Sequence, residues 1–255
     1  MDNGYTIRPI GYIRSDYNEK FGVPRQPGLV TELEQAVVID PLFSNIDALR
    51  GLEGFTHVWL IWGFSENASD MEEEPLKWFP TVRPPRLGGR ERVGVWATRS
   101  PYRPNSLGLS SVRLVRIELD GKPLDDGASG ETTGELALIV SGADMVNGTP
   151  VYDIKPYIPY SDSHPEASGG FTGRAHHGRL TVEISDELLE QIDEPRRAGL
   201  VQMLELDPRG AYEKKTGYTY GLSFGDWDIR FTVEEDTLRV TEIVERSLRA
   251  AKVKE

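Results

Sequence analysis

Three short segments carry side chains that are hard to assign to a scaffold. The first is Pro24, Arg25, Gln26, Pro27 and Gly28. Its two prolines fix the backbone around a planar guanidinium fork and an amide that both donates and accepts. The second covers residues 97–105 and offers Arg99 and Arg103, the hydroxyls of Thr98 and Ser100, the Tyr102 ring and the Asn105 amide. The third covers residues 147–157 and includes Asp153, Lys155 and Tyr157. Residues two apart on an extended chain share a face, so Asp153 and Lys155 can act side by side. Each segment also has a plainer reading: a rigid surface turn, an exposed polar loop, a surface ion pair. Taken together with Arg83, Pro84, Pro85, Arg86, Leu87, Gly88 and Gly89, they exceed what a solvated surface needs.

The elements that must position these segments are short and β-rich. Residues 5–14, 35–40, 57–64, 92–98, 109–119 and 136–141 read as strands between Gly- and Pro-rich turns, a spacing typical of a barrel or sandwich. Within 109–119, Val115, Ile117 and Leu119 fall on one face, while Val112 and Leu114 do not all keep its phase. One helix is expected over 44–51, with Ser44 as its cap and Gly51 as its stop. Residues 20–29, 81–92 and 148–162 read as long loops, and their prolines favour ordered binding loops over slack linkers. A boundary is expected in residues 164–174, which are small and polar. Beyond it, the pattern predicts a strand over 179–184 and a helix capped by Ser185 or Asp186 that breaks or restarts at Asp193, Glu194 and Pro195. Three strands follow, over 219–224, 228–233 and 238–244. The reading is a mainly β first domain over residues 1–168 and a small α+β domain over 169–255.

Bulk composition narrows the chemistry. The chain has 255 residues, 38% hydrophobic and 27% charged, enough to bury a core without staples. It has no cysteine, which excludes disulfides, zinc–thiolate sites, iron–sulfur clusters and thiol nucleophiles. Its start is polar and lacks a signal-peptide pattern, and its longest strongly apolar run, 58–64, is too short to span a bilayer. A cytoplasmic location is the expectation. The net charge of −12 argues against nucleic acid as a whole-surface partner. The distribution answers that objection: Arg83, Arg86, Arg90, Arg92, Arg99 and Arg103 share 22 residues with the single acid Glu91. A local arginine field can hold phosphates while the remaining surface stays acidic.

Several chemistries are missing. No Gly-x-Gly occurs, so there is neither a dinucleotide fingerprint nor the glycine loop of a Rossmann-type methyltransferase. There is no phosphate-binding loop of the Gly-x-x-x-x-Gly-Lys type. His57, His164, His176 and His177 form no metal-ligand spacing with acids, so no metal is expected. Ser161, Asp162, Ser163 and His164 are sequence neighbours and do not make a hydrolase triad.

The motifs resemble those of the TrmO (TsaA-like) family of tRNA threonylcarbamoyladenosine N6-methyltransferases. The resemblance rests on residues 10–15, 24–28, 52–59, 83–89, 98–105 and 148–157, and covers most of 7–165. Residues 207–212 and 228–233 resemble the smaller C-terminal domain of the longer members. The resemblance implies an N-terminal β-barrel that is not a Rossmann sheet, working as a homodimer with its cofactor near the subunit interface. It implies S-adenosyl-L-methionine as cofactor, surrounded by Pro24, Arg25, Gln26, Ser65, Glu66, Arg99 and Leu109. Where Ser65 stands the family often has histidine, so only a backbone role carries over there. Asp153, Lys155 and Tyr157 are the implied catalytic residues: Asp153 or Tyr157 takes or relays a proton from N6, and Lys155 orients the carbamoyl oxygen or threonyl carboxylate. Arg83, Arg86, Arg90, Arg92 and Arg103 are the implied contacts to the phosphates of threonine tRNA. Two other readings stay open on sequence alone: a cofactor-binding protein of this fold that acts on a small molecule or protein, and a non-catalytic RNA-binding module.

Overall fold

The computed structural model describes residues 6–65, 78–84, 87, 91–174, 178–210, 215 and 217–246. Strands form where apolar residues alternate. In β3 (His57–Gly63), Val58, Leu60 and Trp62 are buried on one face, while His57, Trp59 and Ile61 take the other. β1 (Gly11–Arg14), β2 (Glu34–Ile39), β6 (Leu107–Leu119), β7 (Lys122–Pro123), β8 (Leu136–Ser141) and β9 (Pro150–Pro156) join it in one antiparallel sheet, in the order β3-β9-β1-β2-β8-β6-β7. β6 also pairs with β3, so the hydrogen-bonded order returns to its starting strand.

β6 makes that return possible. Its residues 107–113 pair with β3, and its residues 113–119 pair with β8. A bulge between Leu114 and Arg116 lies in the second half. Bulges bend a strand and shift its side-chain phase. The uneven alternation in the sequence has this cause: Val112 and Leu114 face the core, the phase skips, and Ile117 faces it next, leaving Val115 39% exposed. Inside the ring of strands, Ile13, Val37, Val58, Leu60, Leu138 and Val140 pack together. Gly108 is required there, because a Cβ at that position would lie 2.2 Å from the Trp62 ring.

The second sheet contains β10 (Thr181–Glu183), β11 (Tyr220–Phe224), β12 (Trp227–Glu234) and β13 (Thr237–Glu245), in the order β10-β13-β12-β11. Only the β10–β13 pair is parallel. Helix α1 (Pro159–Asp162) lies between the sheets in sequence; α2 (Asp186–Leu189) and α3 (Glu194–Glu205) follow β10. As the sequence implies, Ser185 caps α2 and the helix restarts at α3, with Pro195 in the first turn where its missing N–H costs nothing. Leu200, Met203 and Leu204 of α3 cover Phe224, Ile229 and Phe231. Phe231 stacks on Tyr220 at 5.5 Å and on Phe21 at 6.5 Å.

Four expectations are corrected. Residues 44–51 are not an α-helix; they form part of a series of 3-10 turns, and Asn45, not Ser44, caps the one at Ile46–Leu49. Residues 92–98 are strand only at β5 (Val93–Gly94), which pairs with β4 (Thr81–Val82) before a 3-10 turn. Residues 148–162 are not one loop, because they contain β9. Its prolines sit at the strand's two ends, where a missing N–H is tolerated. Of 5–14, only Gly11–Arg14 is strand among the described residues.

The segment after β1 belongs structurally to both sheets. Tyr17, Val30 and Leu33, with Phe21 and Val23, enter the core of the second sheet. Asn18 donates to Ser223 Oγ and the Gly225 carbonyl, and Asp16 pairs with Arg196 at 3.0 Å. The segment carrying Pro24, Arg25 and Gln26 is therefore supported from behind.

Candidate active site

Two glycines bring two loops together. Gly28 and Gly142 both have positive φ, which favours glycine, and the Gly28 N–H donates to the Gly142 carbonyl at 2.8 Å. A Cβ on Gly142 would sit 3.2 Å from Gly28 backbone atoms. The loop after β8 is fixed from a second side by Gln35, whose buried amide donates to the Ala143 carbonyl and accepts from the Ala143 N–H. A third tie comes from Ser15 Oγ, which donates to the Met145 carbonyl. This loop carries Asp144.

Asp144 was not among the residues singled out from sequence. Its Oδ1 accepts from Ser110 Oγ at 2.6 Å, and Ser110 Oγ accepts from Trp62 Nε1 at 3.0 Å. Burial raises its carboxyl to about 6, against the opposing pull of the Ser110 hydrogen bond, its own backbone N–H and the Arg99 charge. Arg99 in turn donates to Gln26 Oε1 at 2.5 Å. Gln26, Arg99 and Asp144 thus converge from three distant parts of the chain. The Tyr17 hydroxyl is buried beside this group with no hydrogen-bond partner. Its phenol is held neutral first by burial and then by the charges of Asp16 and Asp144. A sequence signal for Asp144 does exist: an acid two residues past the glycine that follows an apolar strand.

The remaining predicted residues occupy other positions. Pro24 is buried and Arg25 is exposed, its guanidinium donating to the Arg209 carbonyl of the second sheet's side at 3.1 Å. Arg209 is itself buried, paired with Asp207 at 2.7 Å. Ser65 follows the end of β3, next to Phe64, whose N–H donates to the Ser106 carbonyl. Glu66, Arg86 and Arg90 lie outside the described residues.

Leu109, Asp153, Lys155 and Tyr157 share the outward face of three adjacent strands. Leu109 on β6 and Asp153 on β9 stand opposite Ile61 of β3 from its two sides, and Lys155 stands opposite Trp59. Two strand spacings separate Leu109 from Asp153, about 10 Å. Lys155 Nζ lies 2.9 Å from Asp153 Oδ2, both half-exposed, and Asp153 Oδ1 accepts from the Ile154 N–H. The Tyr157 ring packs 5.6 Å from Trp59. Trp59 Nε1 donates to Asp162 Oδ2, which also accepts from the Ile158 N–H; these two bonds, that of Ile158 first, hold the Asp162 carboxyl below its ordinary value.

Of the arginines, Arg83 and Arg92 are exposed, and Arg92 donates to Thr81 Oγ1 at 3.0 Å. Arg103 is half-buried, with its N–H groups directed to the carbonyls of Val95, Thr98 and Ser100. It ties the loop that presents Arg99. Among the described residues, no group of three His, Cys, Asp or Glu side chains is placed to hold a metal ion. Nor is any helix among them long and apolar enough to cross a membrane.

Residues 12–163 match the model for the tRNA-methyltransferase O N-terminal domain, and residues 177–246 match that for the TrmO C-terminal domain. The chain belongs to the TrmO family. It is 37% identical to the tRNA (adenine(37)-N6)-methyltransferase of Escherichia coli K12, over 91% of this chain and 95% of the relative. It is 39% identical to a putative S-adenosylmethionine-dependent methyltransferase, RcsF, of Pseudomonas aeruginosa, over 94% and 97% of the two chains. The crystal structure of TrmO from Pseudomonas aeruginosa superposes with a TM-score of 0.69 at 32% identity, covering 94% of this chain and 99% of that one. The mainly β character of the TrmO fold is shared throughout. Within the family match, the first model spans every site residue described above except the Arg209 and Asp207 support, which falls in the second.

Proposed function

We propose that this chain is an S-adenosyl-L-methionine-dependent enzyme that methylates N6 of threonylcarbamoyladenosine beside the anticodon of threonine tRNA. The observation that carries the reading is the convergence of Gln26, Arg99 and Asp144 in a chain that matches a tRNA (adenine(37)-N6)-methyltransferase over nearly its whole length. The donor set fits the cofactor's chemistry. Arg99 offers a fork for a carboxylate, Asp144 a carboxylate for a cationic group, Tyr17 an unpaired buried hydroxyl, and Leu109 an exposed apolar side chain. Pro24, Arg25, Gln26, Ser65 and Glu66 complete the assigned cofactor set.

S-adenosylmethionine, when bound, supplies a methyl group already activated on a positively charged sulfur. The protein's part is then positioning and exclusion of water, a contribution on the order of 7 kcal/mol in well-oriented intramolecular reactions. The acceptor nitrogen gains a methyl and loses a proton. Asp153 or Tyr157 is assigned to take or relay that proton, and Lys155 to orient the carbamoyl oxygen or threonyl carboxylate. The Lys155–Asp153 contact keeps the two side chains on one face of β9, where a substrate can meet both.

The ring of six strands, with its core inside, supports reading the first sheet as a barrel. Among the described residues no strand is shared between the two sheets, which supports two domains, residues 1–168 and 169–255. The outward face holding Trp59, Leu109 and Tyr157 supports a homodimer with the site near its interface. Arg83, Arg86, Arg90, Arg92 and Arg103 are assigned to the tRNA side, and the location is taken as cytoplasmic. The test is transfer of labelled methyl to threonine tRNA with and without its threonylcarbamoyl group. Label on the modified tRNA alone is the expected result. Label on neither, with cofactor still bound, overturns the assigned acceptor.

A further inference from the structure

The segment holding Arg99 also displays four large aromatic side chains to solvent. Trp78 and Trp96 stack at 6.0 Å with 25° between their planes, and Phe79 meets the Tyr102 edge at 5.3 Å. Trp96 is 76% exposed and Phe79 50%, although either ring would gain several kcal/mol if buried. Exposed ring pairs of this kind mark a binding surface.

The display is rigid. β4 pairs with β5, the Val95 N–H donates to the Pro80 carbonyl, and the Phe79 N–H donates to the Tyr102 carbonyl. Arg103 braces the far side through its three carbonyl contacts. Little ordering therefore remains to be done when a ligand arrives.

The charge around the rings selects the class of partner. In a chain of net charge −12, the described residues 78–84 and 91–103 hold Arg83, Arg92, Arg99 and Arg103 against Glu91 alone. Rings and arginines are also enriched in protein–protein interfaces, so it is the arginine surplus, in a chain that is otherwise acidic, that favours a polyanion. Rings beside arginines are what single-stranded nucleic acid requires: flat faces for unstacked bases and cations for the phosphates between them. Trp96 is three residues from Arg99, so their Cα atoms are at most about 11 Å apart. The rings thus lie on the same loop as Arg99, which the tRNA reading places at the cofactor.

We infer that Trp78 and Trp96, flanked by Phe79 and Tyr102, form a stacking platform for an unpaired nucleotide of the anticodon loop adjacent to the target adenosine. The inference rests on the tRNA reading above and adds the subsite that holds the loop open.

The experiment uses the full-length protein and threonine tRNA carrying 2-aminopurine at the nucleotide following the target. Binding to the parent should quench the probe. Trp96→Ala should abolish most of the quench and weaken tRNA binding about tenfold, with cofactor affinity unchanged. Trp96→Phe should restore both, and Leu42→Ala, an exposed apolar residue outside the platform, should change neither. Full quench and parental affinity in Trp96→Ala would overturn the platform. If that variant also halves the molecular mass measured by light scattering, the rings serve a second copy of the chain instead. Failure of the parent itself to bind tRNA would remove the tRNA reading and the platform with it. Parental binding and quench without methyl transfer would leave the platform standing and remove only the assigned reaction.

Discussion

The two sheets use their buried positions differently. Six of the seven buried polar or charged residues among the described positions lie in the first 150 residues, including Gln35, Ser110, Ser141 and Thr149; the second sheet's side has only Arg209. The second core is instead an aromatic and aliphatic stack running from Phe21 through Phe231 to Tyr220. Burying polar groups is costly unless each finds a partner. In the ring, Gln35 and Ser110 find theirs in the loop that carries Asp144, Thr149 in the Val146 carbonyl and Ser106 in the Pro101 carbonyl, while the Ser44 hydroxyl has none. The first region gives up packing to hold a site, whereas the second supplies packing that braces the segment in front of it.

If that contrast is right, substitution in the second core should act on folding. Phe231→Ala should lower stability by about 3–5 kcal/mol in a denaturant titration, since it opens a cavity between two stacked rings. Asp144→Asn should act the opposite way. Methyl transfer should fall about a hundredfold in kcat/KM, equivalent to about 3 kcal/mol for a buried, partnered charge. Stability at pH 7.5 should rise. Burial raises the Asp144 carboxyl from 3.8 to about 6, so the folded chain holds that proton more tightly than the unfolded chain does. The parent's stability from this group is full below pH 3.8 and is lost as pH rises through 6, a loss that asparagine avoids. The variant should therefore gain about 3 kcal/mol at pH 7.5 and nothing at pH 3.5. Parental activity should climb through pH 6 as the carboxylate forms. An Asp144→Asn protein that is no more stable at pH 7.5 would break the comparison.

Gln35→Ala tests the clamp on the same loop. It strips partners from the Ala143 N–H and carbonyl and should lower stability by about 1–3 kcal/mol while weakening cofactor binding, read by calorimetry. Lys155→Met should have the smallest effect on folding, within about 0.5 kcal/mol, because its ion pair is exposed. It should still slow methyl transfer, a separation that a purely structural pair would not produce.

The sequence made some of this architecture legible and hid the rest for identifiable reasons. β3, β8 and the strands of the second sheet stand out because their apolar residues alternate or run together between turns. β9 reads as a loop because Pro150, Pro156, Asp153 and Lys155 all disfavour a strand locally; pairing with β3 and β1 outweighs that preference. The turns at 41–54 are too short for a helical period to decide. Arg99, Gln26, Asp153 and Lys155 could be singled out by residue type. Asp144 offers only its position after an apolar strand, because its properties are made by Ser110, Trp62 and Gln35, whose positions exist only after the sheet has formed.

The ring's last pairing joins residues far apart in the chain: β1 meets β9 through Gly11 and Val151. During synthesis, β1 and β2 emerge long before that partner does. Until residue 151 is free, the growing chain keeps the β1 edge open, with its backbone donors and acceptors available to any other extended strand. Such distant contacts also form slowly. Chains that stop short of β9 should therefore collect in aggregates, and the order of emergence makes this edge the point where a chaperone has most to protect.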